Sequence, residues 1–242
     1  MISAIKVFFR SIGDTWFNLV GYSVCNVVVA VGAILLPFLI GLGMDAIGIH
    51  PLATIVVGIL LFVIVGAPLL IGLLHVTAES LVYNERPEVT LMLRHARSDA
   101  SRAWMLLGLE VLGIAIVLTV VGFYLSVNAT WAVPLSMVSI VIGWIWFGTI
   151  FLAGPMMVRS EKGALTALRN GFVAFSRYPF FTTTLLIMAL LVGLMSILIS
   201  PLIVLITLSF LSVLLNRATV WILQKEGLIP KPEYPEDESP EL

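Results

Sequence analysis

Glu110 carries the most chemical content in this chain, because it interrupts an otherwise apolar run from Trp104 to Leu125. It lies about eight residues past Arg102, roughly 12 Å along a helix. An ionisable group at that depth in a membrane is costly, and it marks either a functional site or a buried pair. On the functional reading, Glu110 exchanges protons or binds a substrate. On the structural reading, which the sequence favours, it is protonated or paired across helices and serves packing. His75 and Glu79 form the next candidate, since an i, i+4 spacing puts both on one face of a helix. The pair does not make the HExxH pattern of a helical zinc site and no third ligand type is evident, so no metal is expected. They read as polar residues at a membrane interface, with a contact between His75 and Glu110 as the alternative. Asp14 and Asn18 stand before the first long apolar run, where Asp14 is expected to cap a helix.

The remaining reactive types are sparse. Cys25 is the one cysteine, which excludes an internal disulfide and a cysteine metal cluster; inside an apolar run it reads as a small buried residue. The sequence shows no P-loop, GxGxxG, GxSxG or paired cysteines. No catalytic residue and no cofactor are therefore expected, and the chain reads as non-enzymatic. Asn128-Ala129-Thr130 matches a glycosylation sequon, but its loop is too short to stand clear of a membrane.

Composition identifies the solvent these residues meet. Of 242 residues 60% are hydrophobic and 11% charged, with a mean hydropathy of +1.11. A soluble domain carries roughly 25% charged residues to keep its surface hydrated. The net charge of −1 gives no basic surface for nucleic acid. The apolar residues fall in blocks of about 20 or more, the length a helix needs to cross a ~30 Å hydrocarbon core. Six spans result, over about 17–42, 52–74, 103–125, 131–158, 180–199 and 202–223. The first is longer than the roughly 7–15 apolar residues of a signal peptide and is read as a retained helix. The second continues as helix to Val82 and contains Gly66-Ala67-Pro68, where a kink is expected. Pro201 suits the first turn of the sixth. Residues 1–228 thus read as one membrane domain, and the acidic, proline-rich stretch 229–242 as a disordered tail.

All 13 Lys and Arg residues fall on one side of this map. They flank the first span (Lys6, Arg10), fill the second-to-third and fourth-to-fifth connections, and accompany the inner end of the sixth (Arg217, Lys225, Lys231). The positive-inside rule then puts both termini in the cytoplasm. Reporter fusions after Gly48 and Val127 should behave as periplasmic, and fusions after Arg97, Lys162 and Leu242 as cytoplasmic. A cytoplasmic signal at Val127 removes this topology. Trp16, Trp104, Trp131 and Trp221 lie near span ends, as an aromatic belt requires.

The two basic connections resemble each other. Leu93-Arg94 and Ser101-Arg102 recur as Leu168-Arg169 and Ser176-Arg177, all at an offset of 75 residues. Val89, Met92, Leu93, Ala96 and Ala100 mark an apolar face on the first; Leu165, Leu168, Phe172 and Phe175 mark one on the second. This is amphipathic-helix spacing, and such helices are expected at the cytoplasmic interface. The unit of kinked span, amphipathic helix and span occurs twice, a candidate parallel repeat. The fold class is therefore an all-α polytopic membrane helix bundle, six spans with two interfacial amphipathic helices.

The stretch Gly154 to Phe181, with Gly-Pro, Ala-Leu-Arg-Asn and Ser-Arg-Tyr-Pro, resembles the YesL-like bacterial integral membrane proteins, a family defined by a domain of unknown function. The resemblance extends over about Thr15 to Leu223. It implies the bacterial inner membrane and a link to carbohydrate uptake, and it supplies no catalytic residues. The expected partners are the lipid bilayer and other membrane proteins such as transporter subunits, not nucleic acid. The favoured function is an accessory or assembly factor, and the alternative a small secondary carrier or channel using Glu110 in a polar intramembrane site.

Overall fold

Inside hydrocarbon the backbone must satisfy its own hydrogen bonds, and a helix does so within a single segment. The computed structural model of the chain, which describes residues 2–127, 129–160, 163–199 and 203–230, contains six helices long and apolar enough to cross a membrane. Span 1 is Leu19–Ala46, span 2 Pro51–Tyr83, span 3 Ala100–Ser126, span 4 Ala132–Ser160, span 5 Pro179–Leu198 and span 6 Leu205–Lys225. There is no strand among the described residues. The chain is an all-α polytopic bundle, and the helix of span 2 continues to Tyr83. Asn128, Lys162, Pro201 and the tail from Lys231 lie outside the described residues.

Spans 1 and 2 each contain a π turn, Val31–Leu35 and Phe62–Gly66. Each stands just ahead of a proline, Pro37 or Pro68. Proline crowds the preceding turn and donates no hydrogen bond, and a wider turn relieves both problems. The residue before each proline reaches back five residues instead of four, Leu36 to the Val31 carbonyl and Ala67 to the Phe62 carbonyl. Trp104 donates its indole N–H to the Ile64 carbonyl over 3.0 Å, the acceptor that an amide at Pro68 would have used. The expected kink is thus a π turn supported from span 3, and Trp104 has a specific partner beyond a place in an aromatic belt. The two π turns pack together: a Cβ on Gly66 would lie 3.0 Å from that of Ala33.

A buried polar seam joins spans 1, 2 and 6. Tyr22 donates to Ser80 over 3.0 Å, and Asn26 accepts from the Ser209 amide over 2.8 Å. Asn216 donates to the Leu74 carbonyl and to the Thr77 hydroxyl, at 3.0 and 2.8 Å. Tyr22, Asn26, Thr77 and Asn216 are all fully buried. Such bonds take the place of a hydrophobic driving force between helices that are already in lipid. Cys25 is buried and free, as expected.

The two basic connections form amphipathic helices, Val89–Ser98 and Ala164–Arg177, called here the first and second connectors. Each packs on the span before it. Gly72 of span 2 meets Met92 and Ala96, and Gly171 meets Thr149 and Ala153 of span 4. Ala96 and Gly171 stand 75 residues apart, the offset that relates the two connectors, so the two connectors dock through the same position. The apolar faces divide their contacts. Met92, Ala96, Leu168 and Phe175 are buried on protein, whereas Leu93, Leu165 and Phe172 stay exposed and are available to lipid.

A third amphipathic helix, Ile2–Phe17, precedes span 1 and packs on spans 5 and 6. Its buried face is Ala4, Val7, Ser11 and Thr15, too small and polar to stand out as an apolar stripe. Asp14 lies within this helix and does not cap span 1, correcting the expectation from sequence. Its carboxylate accepts from Arg217 Nε at 2.5 Å and Nη2 at 2.7 Å. Asn18 holds the cap position of span 1 without a side-chain capping bond.

Candidate functional site

Span 3 buries little of itself within the bundle: Ala103 and Leu106. Glu110 continues their stripe at i+4, which turns it toward the neighbouring spans. It lines a cavity of about 260 Å³ between spans 2, 3, 4 and 6, with Leu70, Leu74, Leu107, Phe151 and Leu211 around it. Ser212 is the one other polar residue of the lining. Gly154 helps to define the space, since a Cβ there would lie 2.8 Å from Leu74 Cδ1. Glu110 is half-buried, and among the described residues no side chain bonds to it. A carboxyl group in an apolar cleft is suited to one positive or hydrogen-bond-donating group on an otherwise apolar ligand. The cavity is just below the roughly 300–1,000 Å³ of small-molecule sites.

His75 and Glu79 lie elsewhere. With 33 residues, span 2 is about 50 Å long at 1.5 Å per residue, well beyond the ~30 Å hydrocarbon core. Its last turns lie at the end of the bundle that carries the connectors. There the chain reverses at Asn84, which adopts the left-handed conformation (φ 54°) that commonly ends helices. The chain then returns so that the first connector packs on span 2, with Met92 and Ala96 at Gly72. The reversal sets one His/acid couple against another: His75 Nε2 is 2.8 Å from Asp99 Oδ2, and His95 Nε2 is 3.1 Å from Glu79 Oε1. The two imidazoles stack face to face, centroids 4.4 Å apart and planes 2° from parallel. Arg102 donates to the other oxygen of Asp99 over 3.2 Å.

The expected alternative contact between His75 and Glu110 is not formed. His75 pairs with Asp99 and stacks on His95, and it is not among the residues lining the Glu110 cavity. No third ligand type is evident beside His75 and Glu79 in the sequence; the fold brings in His95 and Asp99. Their signal was present, because His95 and Asp99 repeat the i, i+4 His/acid couple on the next helix. Two such couples on successive helices meet only when a tight reversal joins the helices. The donor atoms of His75, His95 and Asp99 all lie within 4.8 Å of one another, so among the described residues these three, with Glu79 beside His95, could hold a metal ion.

Fold and sites together define the class: a polytopic α-helical membrane protein with an acid-bearing apolar cavity inside the bundle and a His/carboxylate cluster at the basic end. Comparison with family models, with curated proteins and with solved structures finds no match in any of the three.

Proposed function

We propose that this chain is a non-enzymatic accessory or assembly factor of a bacterial cytoplasmic membrane, with both termini cytoplasmic, acting on other membrane proteins such as transporter subunits. The observation that carries this reading is the use made of the ionisable side chains. Asp14 with Arg217, His75 with Asp99, Glu79 with His95, and Arg177 with Glu226 each tie separate helical segments together. These polar contacts hold the three amphipathic helices against the bundle, leaving the apolar exterior of the spans to lipid and neighbouring proteins. The YesL-like resemblance adds the link to carbohydrate uptake.

A second reading, a small carrier, draws on the Glu110 cavity, which places one carboxyl group among four spans. Glu110→Gln separates the two, because it keeps the shape and most hydrogen bonds while removing the titrating group. In a deletion strain with a growth or uptake phenotype, the Gln variant is expected to complement fully at normal protein levels. Failure to complement with normal insertion would replace the accessory reading with a carrier that exchanges protons or binds a cation at Glu110.

A further inference from the structure

We propose that His75, His95 and Asp99, with Glu79 as fourth donor, form a binding site for one first-row divalent transition-metal ion, of which Zn²⁺ is the type. The inference does not depend on the accessory reading. Two imidazoles and the Asp99 carboxylate converge within 4.8 Å, with the Glu79 carboxylate 3.1 Å from His95. Imidazole suits Zn, Cu, Fe and Ni, and zinc also accepts carboxylate oxygen. Arg102 holds the far oxygen of Asp99, as the hydrogen-bonding partner of a ligating carboxylate does.

His95 gives a second, independent indication. Its Nε2 is shielded from water and has no hydrogen bond of proper geometry, although Glu79 Oε1 is 3.1 Å away. A plain ion-pair clamp would direct that nitrogen at the carboxylate. The face-to-face stack also opposes a purely ionic role, because two protonated imidazoles 4.4 Å apart repel each other. A shared cation lets both rings stay neutral, the form that ligates metal.

Metal binding requires a definite movement. Donors on a tetrahedral ion with bonds of roughly 2.0–2.1 Å lie about 3.4 Å apart, closer than the present limit of 4.8 Å. The imidazole lone pairs lie in the ring planes, so two parallel rings cannot both point at one ion, and one must turn. His95 and Glu79 are the more exposed members, at 22% and 31% against 17% and 15% for His75 and Asp99. The movement therefore falls to His95 and Glu79, with His75 and Asp99 as the fixed half. The bound ion would clamp the first connector to span 2 and, through Asp99, to the start of span 3.

The test uses the full chain purified in detergent, stripped with a chelator and titrated with Zn²⁺ alone and, separately, Co²⁺ alone. The expected result is one ion per chain, a tetrahedral Co²⁺ absorption band, and a metal-dependent rise in Tm. H75A and H95A should each weaken binding by more than the roughly 10–100-fold that loss of an outer partner in R102Q costs. Because H75A removes a side chain packed against the connector, H95Q is the second test; it should keep the metal-free Tm and helical circular dichroism while losing the Tm rise. Binding that persists in the H75A/H95A double variant would overturn the site. So would a wild-type chain that takes up no ion, leaving the cluster as an ion-pair clamp.

Discussion

Valine in place of Gly171 is expected to push the second connector off span 4 and to destabilise the protein by about 3 kcal/mol or more, the upper part of the range for overpacking. Any Cβ at this position would lie 2.6 Å from the Thr149 carbonyl oxygen and 3.3 Å from the Ala153 nitrogen. Both are backbone atoms of a long helix and cannot rotate away as a side chain could. Gly72→Val should do the same to the first connector, where the Cβ would meet the Met92 carbonyl oxygen at 2.4 Å. Thermal unfolding in detergent measures the loss. A cysteine at Met92, a position fully buried in the native fold, should become reactive to a water-soluble thiol reagent in the Gly72→Val background. Gly13→Ala and Gly108→Ala are the controls, since both Cβ positions face open space and alanine favours helix by roughly 0.5–1 kcal/mol over glycine. Unchanged stability in both valine variants would mean that the connectors are not docked as described.

Reversing the charge at Asp14 has the second largest expected effect. Its ion pair with Arg217 joins the N-terminal helix to span 6 through two parallel hydrogen bonds. The two side chains are 24% and 30% exposed, between the surface pairs worth about 0.2–1 kcal/mol and the buried pairs whose disruption costs about 3–5 kcal/mol. Asp14→Lys should cost about 1–3 kcal/mol on that scale, because it removes the acceptor and sets two like charges together. The N-terminal helix should then become susceptible to limited proteolysis while spans 1 to 6 stay folded. Combining Asp14→Arg with Arg217→Asp should recover most of the loss. A double variant no better than Asp14→Lys would show that packing through Ala4, Val7 and Ser11, not the ion pair, holds this helix.

The sequence by itself determined the helical class, the six spans and the two connectors. Each of these depends on properties summed along a continuous stretch: enough apolar residues to cross ~30 Å of hydrocarbon, or apolar residues repeating at helical spacing. Proline at position 68 likewise marked a local irregularity, because its ring acts on its own preceding turn. The N-terminal helix escaped this kind of reading. Its buried face is alanine, valine, serine and threonine, selected by close packing, while Phe9 and Trp16 point outward. Asp14 reads as a helix cap in the sequence because its true partner, Arg217, lies 203 residues away.

Only the tertiary structure decided what each ionisable group faces. His75 and Glu79 formed a recognisable couple, but their partners depend on the reversal at Asn84 and on Gly72 letting the connector approach closely enough to bring in His95 and Asp99. Glu110 was visible as a deep acid. That it opens into an apolar cavity, with neither His75 nor a second acid in the lining, follows from how spans 2, 3, 4 and 6 pack. Hydropathy is a local sum and survives without a fold. The environment of a charge is set by side chains distant in sequence, and it exists only once the helices are assembled.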